Sequence, residues 1–269
     1  MGLFLYYMAS RRRAADAAQT VQTRKTALQR QTEEYLRLRE DARQAEDAIR
    51  YARDKGVLVT EAIWTRYQPM RKIIDETIAS GIIGEPKMLT ANLCYAITQN
   101  HRIVVPELAG GALLDVGVYT LNFAEMVFGR ADGVRCACTK NENGVDLTDS
   151  ITLTWRDGRV ANLTAGVHCV SDQLGVIYGT DGYVMVEDIN NPTGLKVFDG
   201  DRRLVREVSC PPKLTGYEYE VLETARCIRE GLRECPSMPH EETIHMLELM
   251  DNVRAQMGIH YPCEDVDAL

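Results

Sequence analysis

The chain has no Gly-x-Gly-x-x-Gly turn anywhere in its 269 residues, so it shows no dinucleotide-type phosphate loop of the kind that opens a βαβ unit. It has no Cys-x-x-Cys pair among its eight cysteines, which removes the usual zinc and thioredoxin-like patterns. Cys136 and Cys138 form a lone Cys-x-Cys, and no metal site is expected. Reduced, mostly buried thiols explain the cysteines better. Positive charge is in deficit: 31 Lys and Arg stand against 39 Asp and Glu, a net charge of −8. That balance argues against nucleic acid or an anionic membrane as partner. No apolar run approaches the roughly 20 residues of a membrane helix. The opening MGLFLYYMASRRR places its charges after a very short apolar stretch, the reverse of a signal peptide, so the expected location is the cytoplasm.

Residues 1–42 contain one glycine, no proline and no cysteine, and are crowded with Arg, Gln, Thr and Ala. They read as an atypical helical or disordered arm, with its boundary at residue 43. From Gln44 the pattern changes. QAEDAIRYARDKG has helical apolar spacing with Gly56 at the C-cap position. VLVTEAIW then reads as a buried strand. Residues 44–63 therefore resemble the end of a doubly wound αβ unit. Pro69 opens the next helix, PMRKIIDETIASG, and GEPKMLTANLCYAI alternates like a strand. Three hairpins are expected, around Asp157-Gly158, Thr180-Asp181-Gly182 and Asp199-Gly200. Two helices, YEYEVLETARCIREG and HEETIHMLELMDNVRAQMG, close the chain. The expected fold class is α+β: an open, mainly antiparallel sheet with helices on one face over residues 64–269.

One stretch carries chemistry: GGALLDVGVYTL, residues 110–121. Gly110 and Gly111 let the backbone approach another group closely. A helix from about Leu113 to Phe128 would put Asp115 and Tyr119 about 40° apart on one face, at 100° per residue. Asp115 would sit in the first turn, where the helix dipole favours a carboxylate. Gly117 between them costs about 1 kcal/mol of helix propensity, which makes sense if something packs flat against the helix there. A phenol and a carboxylate on one face can polarise a substrate hydroxyl or carbonyl. The same two residues can equally be a helix anchor and a core aromatic, and spacing alone does not separate the two readings.

GGALLDVGVYTLNFAEMVFG resembles the substrate-domain signature of the Gfo/Idh/MocA oxidoreductase family. Its tyrosine, where many members carry histidine, is similar to the dihydrodiol dehydrogenase branch, as are TEAIWTRYQPMRKIIDETIASGIIGEPKMLTANL and the two closing helices. The resemblance runs from about Gln44 to Pro262. It implies hydride transfer between NAD or NADP and a sugar-like or diol secondary alcohol or carbonyl. It implies Tyr119 as proton donor or acceptor, and Asp115, Trp64 and Arg66 on the substrate; His168, read from its expected strand and not from the resemblance, is either a satisfied sheet residue or a further substrate contact. Gly111 and Gly117 would border the cofactor, and Arg66 would lower the Tyr119 pKa. A homodimer through the open sheet face also follows.

The departures from the family are as specific as the likeness. Its members begin with a strand, a glycine turn and a helix, and carry a Glu-Lys-Pro-like triplet whose lysine is catalytic. Here the corresponding residues read EYLRLREDAR. The expectation is therefore a chain with little or no turnover alone; the sequence leaves open whether it binds NAD or NADP or neither. The alternative is a non-catalytic dimerisation or ligand-binding module derived from the family. A third reading, a poorly folded fragment, follows if VLVTEAIW has lost its sheet neighbours. The histidines of HEETIH are five residues apart and diverge by about 140° on a helix, so they do not form a zinc helix.

Overall fold

The computed structural model describes residues 42–262. The expected arm lies outside the described residues, except that Ala42 and Arg43 already belong to helix α1, Ala42–Lys55. Its apolar stripe, Ala45, Ile49 and Ala52, is buried, at the i, i+4, i+7 spacing of one helix face. Gly56 ends the helix at φ +65°, a left-handed conformation that glycine adopts without a side-chain penalty.

The next segment departs from expectation. Val57–Ile63 forms no strand; it runs extended into a single 3₁₀ turn, Trp64–Arg66. A strand needs a hydrogen-bonded neighbour, and among the described residues no strand lies beside it. Its polar groups are met by the loop before the last helix: Val59 N donates to Arg233 O at 3.2 Å, Thr60 Oγ1 to Met238 O at 3.3 Å. Val57 remains 52% exposed. The αβ unit expected over 44–63 is thus realised as a helix and an extended arm.

Helix α2, Pro69–Ala79, has Pro69 at its start as expected and buries Met70, Ile74 and Thr77. It leads to strand β1, Pro86–Cys94. A helical turn at His101–Val104 and a 3₁₀ turn at Pro106–Leu108 precede the glycine pair. The stretch expected to be one α-helix begins as a π-turn, Leu113–Gly117, and continues as α3, Val118–Phe128. Six strands then follow in three hairpins, with one further strand ahead of them. They are β2 Gly133–Lys140, β3 Asp146–Thr154, β4 Val160–Gly166, β5 Gly175–Gly179, β6 Gly182–Glu187, β7 Gly194–Asp199 and β8 Leu204–Ser209. Helices α4, Glu218–Arg229, and α5, His240–Met257, end the described chain.

All eight strands form one open sheet in the order β2-β3-β4-β1-β5-β6-β7-β8. Only β1–β4 is parallel; every other pairing is antiparallel. The three Asp-Gly turns join β3–β4, β5–β6 and β7–β8, as their sequences require. Strand β2 is not announced by the sequence pattern, and it forms the far edge.

Alternation sets the two faces of the sheet. Leu89, Ala91, Leu93, Ile151, Leu153, Ala161, Leu163, Ala165 and Ile177 point inward and are buried. The other face carries Thr90, Ser150, Thr152, Asn162 and Thr164, with Tyr183 stacked on Phe198 at 4.8 Å between ring centres. The stretch Pro106–Phe128 is by length and composition apolar enough to cross a membrane, and most of it is buried inside this chain. Its helical part, Leu113–Phe128, is mostly buried within the core. Helix α4 differs: only Cys227 is buried, and Val221, Leu222 and Ile228 are about 60% exposed.

Candidate functional site

The π-turn governs the site. A π-turn closes i→i+5 bonds and widens the helix locally, so the 40° offset of a uniform α-helix does not apply to Asp115 and Tyr119. Carbonyls at the end of this turn and the start of α3 accept side-chain donors: Thr120 Oγ1 donates to Gly117 O and Asn122 Nδ2 to Val118 O, both at 2.8 Å.

Asp115 does not cap the helix. Its carboxylate pairs with Arg102, from the helical turn just before the glycine pair, and its side chain is 19% exposed. Tyr119 is half-buried. Its phenol is pushed up to about 12, first by burial and then by the nearby Tyr217, Asp115, Glu220 and Glu61. Its hydroxyl makes no hydrogen bond to any described residue, and its oxygen is not sealed from solvent. A tyrosine in that condition is a neutral donor across the physiological range, and its hydroxyl is available to a ligand.

Trp64 joins this group. Its indole stacks on Tyr217, with centroids 4.2 Å apart and planes at 17°, and Nε1 donates to Asn190 Oδ1 at 2.9 Å. Asn190 Nδ2 in turn donates to Tyr95 OH at 3.1 Å. Gly216, at φ +104°, lets the chain pass the indole; a Cβ there would lie 3.0 Å from a ring carbon of Trp64. Lys213 secures the same loop, donating to Gln68 Oε1 at 3.1 Å and to Pro192 O at 2.9 Å. Tyr95, Asn190, Lys213, Tyr217 and Glu220 do not stand out in the sequence. Each is distant in sequence from residues 110–121, and only Gly216, just before Tyr217, marks the spot.

Arg66 faces elsewhere, and the expected lowering of the Tyr119 pKa does not occur. The Arg66 side chain is 9% exposed. Its Nε donates to Asn122 Oδ1 at 2.6 Å and Nη2 to Glu242 Oε2 at 3.1 Å. It ties α3 to α5. His168 is exposed, and Nδ1 lies 3.1 Å from Leu147 O and 3.2 Å from Thr148 Oγ1. A carbonyl partner makes Nδ1 the protonated nitrogen. No hydrogen bond joins His168 to Tyr119, Asp115 or Trp64.

The two glycines assigned to the cofactor are engaged by the chain itself. A Cβ on Gly111 would sit 2.2 Å from Asp146 Oδ1, and one on Gly117 3.5 Å from Ala165 Cβ on β4. The close approach these glycines permit is therefore to a buried carboxylate and to the sheet. With no glycine turn in the sequence, the described residues do not form a cradle for a dinucleotide pyrophosphate.

Metal-type donors gather once among the described residues, at Glu223, Cys227 and Cys235. Both Glu223 oxygens already accept from Ser237, at 3.0 and 2.6 Å. The two histidines of HEETIH point apart, His240 to Val59 O and His245 to Glu125.

The described residues thus form an open α+β sheet with Asp115 and Tyr119 on its central helical segment. Comparison with known proteins places this fold. Residues 71–185 match the family model of the GFO/IDH/MocA C-terminal domain. A trans-1,2-dihydrobenzene-1,2-diol dehydrogenase from Xenopus tropicalis is 31% identical over 229 residues, covering 82% of this chain and 69% of that protein. Those of Danio rerio and Homo sapiens are 30% and 28% identical, with 68% and 69% of their lengths covered. A 3-ketoreductase from Actinomadura kijaniata, solved with NADP and TDP-benzene, superposes with a TM-score of 0.73 at 21% identity, covering 81% of this chain and 68% of that one. An aldose-aldose oxidoreductase from Caulobacter crescentus, solved with glycerol, gives 0.71 at 16% identity, with 81% and 67% covered. The chain belongs to the Gfo/Idh/MocA oxidoreductase family, on its dihydrodiol dehydrogenase-like branch.

Proposed function

We propose that this chain carries the substrate side of an NAD(P)-dependent oxidoreductase acting on a secondary alcohol or carbonyl of a sugar-like or diol molecule. The observation that carries the reading is the Tyr119 hydroxyl, which burial keeps neutral and which makes no hydrogen bond among the described residues. In the reducing direction it gives its proton to the substrate oxygen; in the oxidising direction it takes one back. Asp115, held by Arg102, accepts hydrogen bonds from the substrate hydroxyls, and Trp64 with Tyr217 forms an aromatic wall for the carbon skeleton. NAD and NADP supply hydride in the family, and the described residues form no cradle for them.

A second reading has its own support. Gly111 and Gly117 are taken up by the fold, as they would be in a non-catalytic ligand-binding or dimerisation module. A ligand-binding module would, like the enzyme, take a small molecule at Tyr119, and both readings allow a homodimer through the exposed sheet face that carries Tyr183 and Phe198. Domain limits of 44–63 and 64–269 remain part of the proposal.

The binding half is tested without cofactor. Saturation-transfer NMR with trans-dihydrodiols and aldoses should give ligand signals with the wild-type chain. Asp115→Ala should weaken them about tenfold or more, the loss of one charge-assisted hydrogen bond. Equal signals from both proteins would remove Asp115 from the site.

A further inference from the structure

Two carboxyl groups lie under the start of the π-turn, and the proposed chemistry uses neither directly. Asp146 and Asp149, at the beginning of β3, are both fully buried. Asp146 Oδ2 accepts the backbone N–H of Leu113 at 2.6 Å, and the N–H of Ala112 also reaches this carboxylate. Gly111, at φ +122°, leaves the space that Asp146 occupies. Asp149 lies close enough to feel the Asp146 charge, and both of its oxygens, like Asp146 Oδ1, are buried without a hydrogen-bond partner among the described residues.

No cation among the described residues balances the pair. Its register neighbours are Cys138 and Ala165 for Asp149 and Lys140 for Asp146. Lys140 donates instead to Gly258 O at 2.7 Å. On α5, Arg254 pairs with Asp251 at 2.6 Å and lies over the Tyr261 ring. Arg102 holds Asp115. Strand β2 also carries Arg135, which donates to Val134 O at 2.9 Å, and the thiols of Cys136 and Cys138, which burial pushes up. Two adjacent carboxylates with no cation cannot both ionise in a buried site.

We propose that Asp146 and Asp149 work as a one-proton pair that positions Asp115 and Tyr119. Asp149 is the protonated partner and donates to Asp146, while ionised Asp146 holds the first N–H groups of the π-turn in place. Both are positioning residues, acting through the turn rather than on the substrate. The division of labour follows from the surroundings. Burial raises both, but the N–H groups of Leu113 and Ala112 favour the charge on Asp146. Asp149 has no such donors and is pushed up to about 9 by burial and by Asp146. This inference deepens the reading of Tyr119 as the proton donor and, for its functional meaning, rests on it.

The test compares urea unfolding of the full wild-type chain and Asp149→Asn between about pH 5 and 8. Asp149 holds a proton in the folded chain that the unfolded chain releases above about pH 4. Stability from this group is therefore full below the unfolded value, and it is lost as pH rises towards the folded one. The substituted amide keeps the shape and an N–H donor but cannot titrate. The unfolding constant of the wild type should rise relative to the variant by about tenfold per pH unit, the signature of one linked proton. A ratio that stays flat with pH would overturn the one-proton pair.

The positioning role is read separately, by NMR titration of ζ-¹³C-labelled tyrosines with Tyr119 assigned through Tyr119→Phe. Asp149→Asn should leave the Tyr119 phenol where it is. Asp146→Ala, with no acceptor for the turn, should bring it down towards the ordinary tyrosine value. Should Asp146→Ala not fold, Asp146→Asn reports instead. It keeps an acceptor for Leu113 but removes the charge beside Asp149, so Tyr119 should hold while the pH slope shrinks. An unmoved Tyr119 in folded Asp146→Ala, or an undiminished slope in Asp146→Asn, would overturn the proposal. Neither readout uses substrate or cofactor, so its failure is distinct from a failure of the catalytic reading.

Discussion

Gly111→Ala will destabilise the fold by about 3 kcal/mol or more, measured as the shift in urea unfolding at neutral pH. Two penalties add at this residue. The backbone at φ +122° is one that side-chain-bearing residues rarely adopt, a strain of order 1–3 kcal/mol. The new methyl would also meet Asp146 Oδ1 at 2.2 Å and its Cγ at 2.8 Å. Asp146 is wholly buried and tied to Leu113 N, so overpacking here costs a further 1–3 kcal/mol or so. Gly144→Ala is the control. Gly144 also has a positive φ, +84°, but a Cβ there meets nothing within 4 Å, so the cost should stay near the backbone term alone. Equal losses at the two sites would mean that the Asp146 contact does not constrain Gly111.

Tyr119→Phe should remove most of the oxidoreductase rate with little change in substrate KM. The chain is expected to need a dinucleotide-binding half for turnover, so the assay fuses residues 44–269 to that half of a trans-dihydrobenzenediol dehydrogenase. A positioned general acid contributes about 10²–10⁴-fold. The phenylalanine keeps the ring and its packing while deleting the hydroxyl that the described residues leave unengaged. A fall in kcat with KM held is the pattern of an interaction made in the transition state. A parallel rise in KM with kcat preserved would reduce Tyr119 to a binding contact.

Much of this architecture is readable from the chain, because its signals are local. Asp157-Gly158, Asp181-Gly182 and Asp199-Gly200 each mark a tight turn whose flanking residues must pair. Pro69, Gly56 and Gly258 mark helix ends through their own φ preferences. Strand β2 lacks such punctuation, and Val57–Ile63 shows the opposite error. Its β-branched residues read as a buried strand, but strand formation depends on a neighbour, and the described residues provide none.

The site is legible in part, for the same reason. Tyr119 and Asp115 stand out within one short motif. Arg66 lies close to Trp64 in sequence, yet the 3₁₀ turn sends the two side chains apart, Trp64 to Tyr217 and Arg66 to Asn122 and Glu242. Gly111 does mark a point of close approach. The group that approaches, Asp146, lies on a strand much later in the chain, where no local pattern connects the two.

The central claim is that these residues hold the substrate side of the chemistry without the cofactor's cradle. Titration of the purified full chain with NADPH and NADH, followed by nicotinamide fluorescence and calorimetry, tests it most directly. The account predicts no saturation up to about 1 mM, a binding free energy weaker than about −4 kcal/mol. Saturable micromolar binding would contradict it, and would mean that a nucleotide site exists without a glycine turn.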